Sequence, residues 1–199
     1  MTAGQATTGT TAGAGGNGEA GSPELEAALG RIRDVADFPE PGILFKDIAP
    51  LLADTAAFAT VVDALARVGR RVGQIDAVVG IEARGFILAA PVALALQAAF
   101  VPVRKAGKLP GPCHQASYTL EYGQATLEIQ ADALAPGSRV LLVDDVLATG
   151  GTGAAAARLV GEGGGVVAAV AVLLELGFLP GRARLTEAGL DRVHALRRV

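Results

Sequence analysis

The sequence holds a single cysteine, Cys113, which excludes an internal disulfide framework and a cysteine-rich metal site. Its two histidines, His114 and His194, lack a metal-ligand spacing, and no Ser-His-Asp arrangement is readable around them. Long hydrophobic runs are missing too. The longest, such as Val166 to Leu174, fall well short of the ~20 residues a bilayer-spanning helix needs. No charged segment followed by an apolar one opens the chain, so nothing suggests secretion. Charge of one sign is also lacking: a net −3 gives no bulk attraction to nucleic acid. These absences predict a soluble, cytoplasmic protein.

What is present is apolar sequence, 51% of 199 residues, a fraction inflated by alanine and enough to build one α/β domain. Residues 1–21 are mostly Gly, Ala and Thr and cannot bury enough surface to offset ordering entropy; they read as a disordered extension. Residues 22–199 read as a single domain. Ser22-Pro23 is a helix start, and Leu25, Leu29 and Ile32 continue it at helical spacing to about Val35. Pro39 and Pro41 exclude a helix in the next stretch, which reads as a hood-like loop with a short extended piece over about 36–50. A second helix is expected from about Thr55 to Val72, with Phe58, Val62, Leu65 and Val68 or Val72 on its inner face.

Three later segments carry chemistry. Ile75 to Ile81 is a strand followed by Glu82-Ala83-Arg84-Gly85 and a helix from Phe86 to about Gln97, a candidate anion site at a strand end. Arg84 there could equally pair with a surface acid. Phe100 to Val103 is another strand, running into Arg104-Lys105-Ala106-Gly107-Lys108, where a charged substrate would lie. Ser117 to Tyr122 and Ala125 to Gln130 alternate about Gly123-Gln124 as a β-hairpin, an excursion from the sheet over about 105–130 that would serve as a lid.

A fourth segment organises the rest. Val140 to Val143 is a continuous apolar run, as a parallel strand covered on both faces should be, and it ends in Asp144-Asp145. The turn Ala148-Thr149-Gly150-Gly151-Thr152 then opens a helix. Such a turn aims several backbone N–H groups into one concavity, and the helix dipole adds positive charge, so together they cradle a phosphate. The two carboxylates suit the paired hydroxyls of a ribose. Gly151 to Ala156 also satisfies the dinucleotide pattern G-x-G-x-x-A, with Glu175 ending the next strand, but only 24 residues follow Glu175, too few for the further βα units that fold needs. A helix over Pro180 to Ala188 and a short edge strand at Val193 to Leu196 complete the expected elements.

The run from Val140 to Thr152 resembles the phosphoribosyl-pyrophosphate (PRPP) signature of the type I phosphoribosyltransferases. With Asp37-Phe38-Pro39 through Ile48, Glu82 to Phe86, Val101 to Lys105, Gly107 to Pro110, Tyr118 to Gly123 and Leu127 to Gln130 in that order, the chain resembles the adenine phosphoribosyltransferases over most of its length. The resemblance implies an α/β fold with a central, mostly parallel sheet, helices on both faces, a hairpin lid and a small N-terminal hood. It implies transfer of a phosphoribosyl group from PRPP to adenine in purine salvage, with Mg²⁺ as cofactor held mainly through the substrate's pyrophosphate rather than by direct protein ligands, in a homodimer.

It also implies roles. Ala148, Thr149, Gly150, Gly151 and Thr152 would bind the 5′-phosphate, and Asp144 and Asp145 the ribose. Glu82, Ala83, Arg84 and Gly85 would form the pyrophosphate loop, joined by Arg104, Lys105 and Lys108. Leu44, Phe45 and Lys46 would contact adenine, and Glu121 would be the acid/base residue. Lys46 stands where many relatives carry Arg, and Cys113-His114-Gln115 matches no lid pattern.

Overall fold

The computed structural model describes residues 21–119 and 124–199. The 1–21 extension therefore lies outside the described residues except for Gly21, and so does Glu121.

Short helix α1, Pro23–Leu29, starts as expected, with the Ser22 hydroxyl accepting from the Leu25 amide. It stops well before Val35, however. Residues Arg33–Ala36 are a strand, β1, because they pair antiparallel with β2, Leu44–Asp47, and this small sheet is the hood. Tertiary pairing has overridden the helical spacing. An unanticipated turn of helix, α2 (Ala49–Ala53), precedes α3 (Thr55–Arg71), which the Asp54 carboxylate caps by accepting from Ala56 and Ala57. The buried face of α3 is Ala57, Val61, Ala64, Leu65 and Val68; Phe58 and Val62 lie at its margin, so the expected stripe is rotated by about one residue.

Seven strands form the main sheet in the order β5-β6-β4-β3-β7-β8-β9, where β3 is Ala77–Ile81, β4 Ala99–Lys105, β5 Cys113–Thr119, β6 Gln124–Gln130, β7 Arg139–Leu147, β8 Val166–Glu175 and β9 Val193–Arg198. The run β4-β3-β7-β8-β9 is parallel. The hairpin β5-β6 is not an excursion: β6 joins the sheet antiparallel to β4 through Arg104↔Glu128 and Lys105↔Leu127. Strand β7 also runs past the aspartates, because Asp144, Val146 and Leu147 stay in register with Val172, Leu174 and Glu175 of β8.

Alternate residues of the buried strands feed two cores. Val78, Leu141, Val143, Ala171 and Leu173 pack under α1, α3 and helix α4 (Arg84–Leu96). Val79, Ile81, Val140, Leu142 and Val172 pack under α5 (Gly151–Glu162) and α6 (Gly181–Glu187). A parallel sheet covered on both faces follows from this alternation of apolar residues with no polar partner face. The chain steps from β3 to β4 on one side, then returns to place β7 on the other side of β3. The carboxyl ends of β3 and β7 therefore flank a topological switch point, where open α/β sheets bind ligands.

Candidate active site

Three loops meet at that edge because three neighbouring parallel strands end there. After β3 comes Glu82-Ala83, whose peptide is cis, and then Arg84-Gly85 at the start of α4. Gly85 sits tight against β7: a Cβ at this position would stand 2.8 Å from Asp144 Oδ1. Arg84 spans the crevice, with Nε 2.8 Å from Asp145 Oδ2 and its guanidinium 5.2 Å from the centre of the Phe45 ring in the hood. Phe45 is itself braced edge-on by Phe38.

The end of β4 and the loop after it gather on Glu82. Arg104 Nε donates to Glu82 Oε2 at 3.2 Å, the Lys105 amide to the same oxygen at 3.0 Å, and Lys108 Nζ lies 3.9 Å from Oε1. Burial alone would raise Glu82, but the Lys105 amide and the Arg104 guanidinium outweigh it and hold its carboxyl below the usual range. The opposite holds next door. Burial, then the adjacent Asp145 carboxylate, push Asp144 well above the carboxylate range. Burial also raises Asp145, and Arg84 offsets only part of that rise. Two acids placed side by side in a strand, with one cation between them, are short of hydrogen-bond donors: Asp145 Oδ2 is buried without a hydrogen-bond donor of good geometry.

Beyond the acids the chain turns through Ala148 and Thr149 to Gly150, whose φ of +79° is the left-handed conformation glycine adopts without strain. Helix α5 begins at Gly151 with no side-chain cap, so its first amides remain available to an anion. A cavity of about 80 Å³ opens between Asp144, Ala148, Thr149, Gly150 and Thr152, floored by Leu142 and Leu185.

Sequence reasoning missed two neighbours of this turn. A Cβ on Gly151 would meet the Tyr118 ring at 3.3 Å and Arg184 Nη1 at 3.4 Å, so β5 and α6 deliver an aromatic ring and a cation to the helix start. No local pattern announces either residue, because packing of distant elements brings them there. Of the expected base contacts, Phe45 faces Arg84, whereas Lys46 Nζ is bound to Asp34 Oδ1 at 2.7 Å and Leu44 is exposed.

A phosphoribosyl transferase domain model matches residues 51–188. The adenine phosphoribosyltransferase of a Nocardioides species is 64% identical over 167 residues, which is 82% of this chain and 90% of that protein. The chain belongs to the adenine phosphoribosyltransferase family. The Streptomyces coelicolor member is 61% identical over 82% of this chain and 89% of its own length. Among solved structures, the family member from Thermoanaerobacter pseudethanolicus superposes with a TM-score of 0.83 at 45% identity, covering 88% of this chain and 99% of its own. The Saccharomyces cerevisiae member, crystallised with adenine and an imino-altritol bisphosphate, superposes at 0.82 with 39% identity over 87% of this chain and 98% of its own. The resemblance first seen in the motifs thus extends across the fold of this phosphoribosyltransferase.

Proposed function

We propose that this phosphoribosyltransferase joins adenine to PRPP, giving AMP and pyrophosphate in purine salvage. One observation carries the site assignment: the two acids of β7, the uncapped start of α5 and the cations of β4 share one edge of the sheet, at its switch point. The amides of Ala148 to Thr152 bind the 5′-phosphate, and Asp144 and Asp145 accept from the ribose hydroxyls. Glu82 to Gly85, with Arg104, Lys105 and Lys108, receive the pyrophosphate. Leu44, Phe45 and Lys46 contact adenine from the hood.

Breaking the anomeric C–O bond builds positive charge on the ribose and negative charge on the departing pyrophosphate. Cations held in place before the reaction stabilise the latter without reorganising. A pyrophosphate arriving at Arg84 competes with Asp145 for its guanidinium, which frees that carboxylate for the sugar. Glu121 handles the proton on the imidazole ring of the base.

Mg²⁺ is the proposed cofactor, and the donor set fits it. Among the described residues, no group of three or more His, Cys, Asp or Glu could hold a metal unaided. Mg²⁺ is commonly held through substrate phosphates with few protein ligands, which fits a metal carried mainly by the pyrophosphate of PRPP. When bound, it offsets charge on the leaving group. The proposed setting is the cytoplasm, where the unpaired Cys113 would stay reduced.

The proposed assembly is a homodimer. Ile87 and Leu94, seven positions apart on one face of α4, are 43% and 80% exposed, and Phe100 lies exposed on the neighbouring strand. Helix α4 begins with Arg84 and Gly85, so a partner packed on it would brace the pyrophosphate loop. Leu94→Glu is expected to yield a monomer by sedimentation and to lower kcat/KM for PRPP by about tenfold or more, one buried charge being costly enough to break such a contact. A wild-type dimer retained in this variant contradicts that surface.

The raised acids predict opposite effects on stability and binding. A carboxyl whose pKa rises on folding stabilises the fold while protonated, and that contribution is lost as pH climbs through the folded value. Near neutral pH, free Asp144→Asn should therefore melt roughly 2–4 °C above wild type, the shift for about 1 kcal/mol at this size. Its PRPP affinity should fall by about tenfold or more, since the diol loses a charged acceptor. In wild type, affinity should rise with pH through the same range. Calorimetry of binding and of melting would check both; a lower melting point or unchanged PRPP affinity contradicts the assignment.

The base is tested by incubating purified protein with PRPP, Mg²⁺ and, separately, adenine, hypoxanthine, guanine or orotate. Turnover with adenine is expected. Failure with adenine alongside turnover of another base would overturn the proposed substrate.

A further inference from the structure

Glu128 is an acid in a place where the sheet has no evident use for one. On β6 it points away from buried Leu127 and Ile129, toward a face that should be wet at an edge hairpin, yet it is only 2% exposed. The turn at 107–109 covers it. Its Oε1 accepts from the amides of Lys108 and Leu109, both at 2.8 Å, and its Oε2 from Gln115 Nε2 at 3.4 Å. Burial would raise its pKa, but the amides of Leu109, Gly107 and Lys108 and the Gln115 side chain outweigh that and keep it ionised. Consecutive main-chain amides converging on one carboxylate make the same concavity that binds free anions. Here the chain supplies its own anion and freezes the turn.

The frozen turn is the one that presents the pyrophosphate cations. Arg104, directly across the strand pair from Glu128, does not spend its guanidinium on that acid. It donates to Glu82 and, through Nη1, to the Lys108 carbonyl at 3.1 Å. Lys108 in turn reaches toward Glu82. A continuous set of bonds therefore runs from Glu128 through the 107–109 turn to Arg104 and Lys108, and on to the loop after β3. We infer that Glu128 is a positioning residue for the pyrophosphate half of the substrate: it touches no substrate atom but fixes the backbone that aims Arg104 and Lys108. The inference rests on the pyrophosphate assignment proposed above.

Electrostatics and positioning predict opposite signs, which makes the test sharp. Removing a negative charge beside two cations should by Coulomb's law tighten the binding of an anion. Removing the acceptor that holds their loop should weaken it. In Glu128→Ala, the Kd for pyrophosphate and the KM for PRPP are expected to rise at least about tenfold, while the Kd for AMP and the KM for adenine stay within about twofold. Glu128→Gln keeps one carbonyl oxygen able to accept from both amides, so pyrophosphate affinity should stay within about threefold of wild type. Tighter or unchanged pyrophosphate binding in the alanine variant, equal loss of AMP and pyrophosphate affinity, or a glutamine variant as impaired as alanine would overturn the inference. Because Glu128→Ala leaves two part-buried amides unpaired, amide exchange on wild-type protein gives a check that no variant enters. Lys108 and Leu109 should be protected like the core of β6, and exchange as fast as that of an open loop would overturn it. If wild-type protein binds neither AMP nor pyrophosphate, the proposed substrate fails instead, and the exchange result still stands on its own.

Discussion

Gly181→Ala is expected to abolish measurable PRPP turnover at ordinary substrate concentrations, raising the KM for PRPP and the Kd for AMP by at least about a hundredfold. Gly181 opens α6 and lies against the turn after β7. A Cβ there would fall inside the contact distance of the Ala148 carbonyl and reach the Leu147 side chain at 3.0 Å. The reverse face is as tight, since a Cβ on Gly150 would stand 2.6 Å from the Gly181 carbonyl oxygen. Two backbone segments touch with no side chain between them, so neither can yield without moving the amides that would hold the 5′-phosphate. The loss must come with little change in the rest of the fold, because the clash falls on the turn backbone at the sheet's edge and, of the second core, reaches only the Leu147 side chain. Titration of AMP by calorimetry, alongside a far-UV spectrum, checks this. Affinity within a few-fold of wild type would show that the turn adapts and that its geometry is not what binds the ligand.

Glu121→Gln is expected to lower kcat by about 10²–10⁴-fold, the range for a positioned acid/base group, with the KM for PRPP changed only a few-fold. Glu121 lies outside the described residues, but the strand before it supports the role. β5 runs along α5 and carries Tyr118, three positions earlier, onto Gly151 at the start of that helix. A glutamine keeps the size of the side chain and loses its ability to exchange a proton. Single-turnover measurements separate the chemical step from product release, and an unchanged chemical rate would remove Glu121 from proton transfer.

The parallel strands were legible because a strand buried on both faces has to be apolar throughout, as Ala77 to Ile81 and Val166 to Leu174 are. The turn after β7 was legible because its glycines and paired acids have few other uses. What the sequence hid was decided by long-range contacts. Val35 fits the helical spacing of Leu25 and Ile32, yet it lies in a strand because Phe45 pairs with it across the hood. The hairpin read as an arm standing off the sheet, since nothing local shows that Lys105 will pair with Leu127. Glu128 alternates with the apolar Leu127 and Ile129, a pattern that says nothing of what will cover it. Only the fold shows the 107–109 turn closing over it. Arg184 was equally silent, because only the packing of α6 against the turn after β7 brings it to Gly151.

The central claim is that the amides leaving β7 hold the sugar phosphate while Asp144 and Asp145 hold the diol. A crystal structure of this chain with AMP tests it most directly. The phosphate should sit on the amides between Ala148 and Thr152, with both ribose hydroxyls within about 2.5–3.0 Å of the two aspartates. Nucleotide density anchored anywhere else, with that turn free of phosphate, would contradict the account.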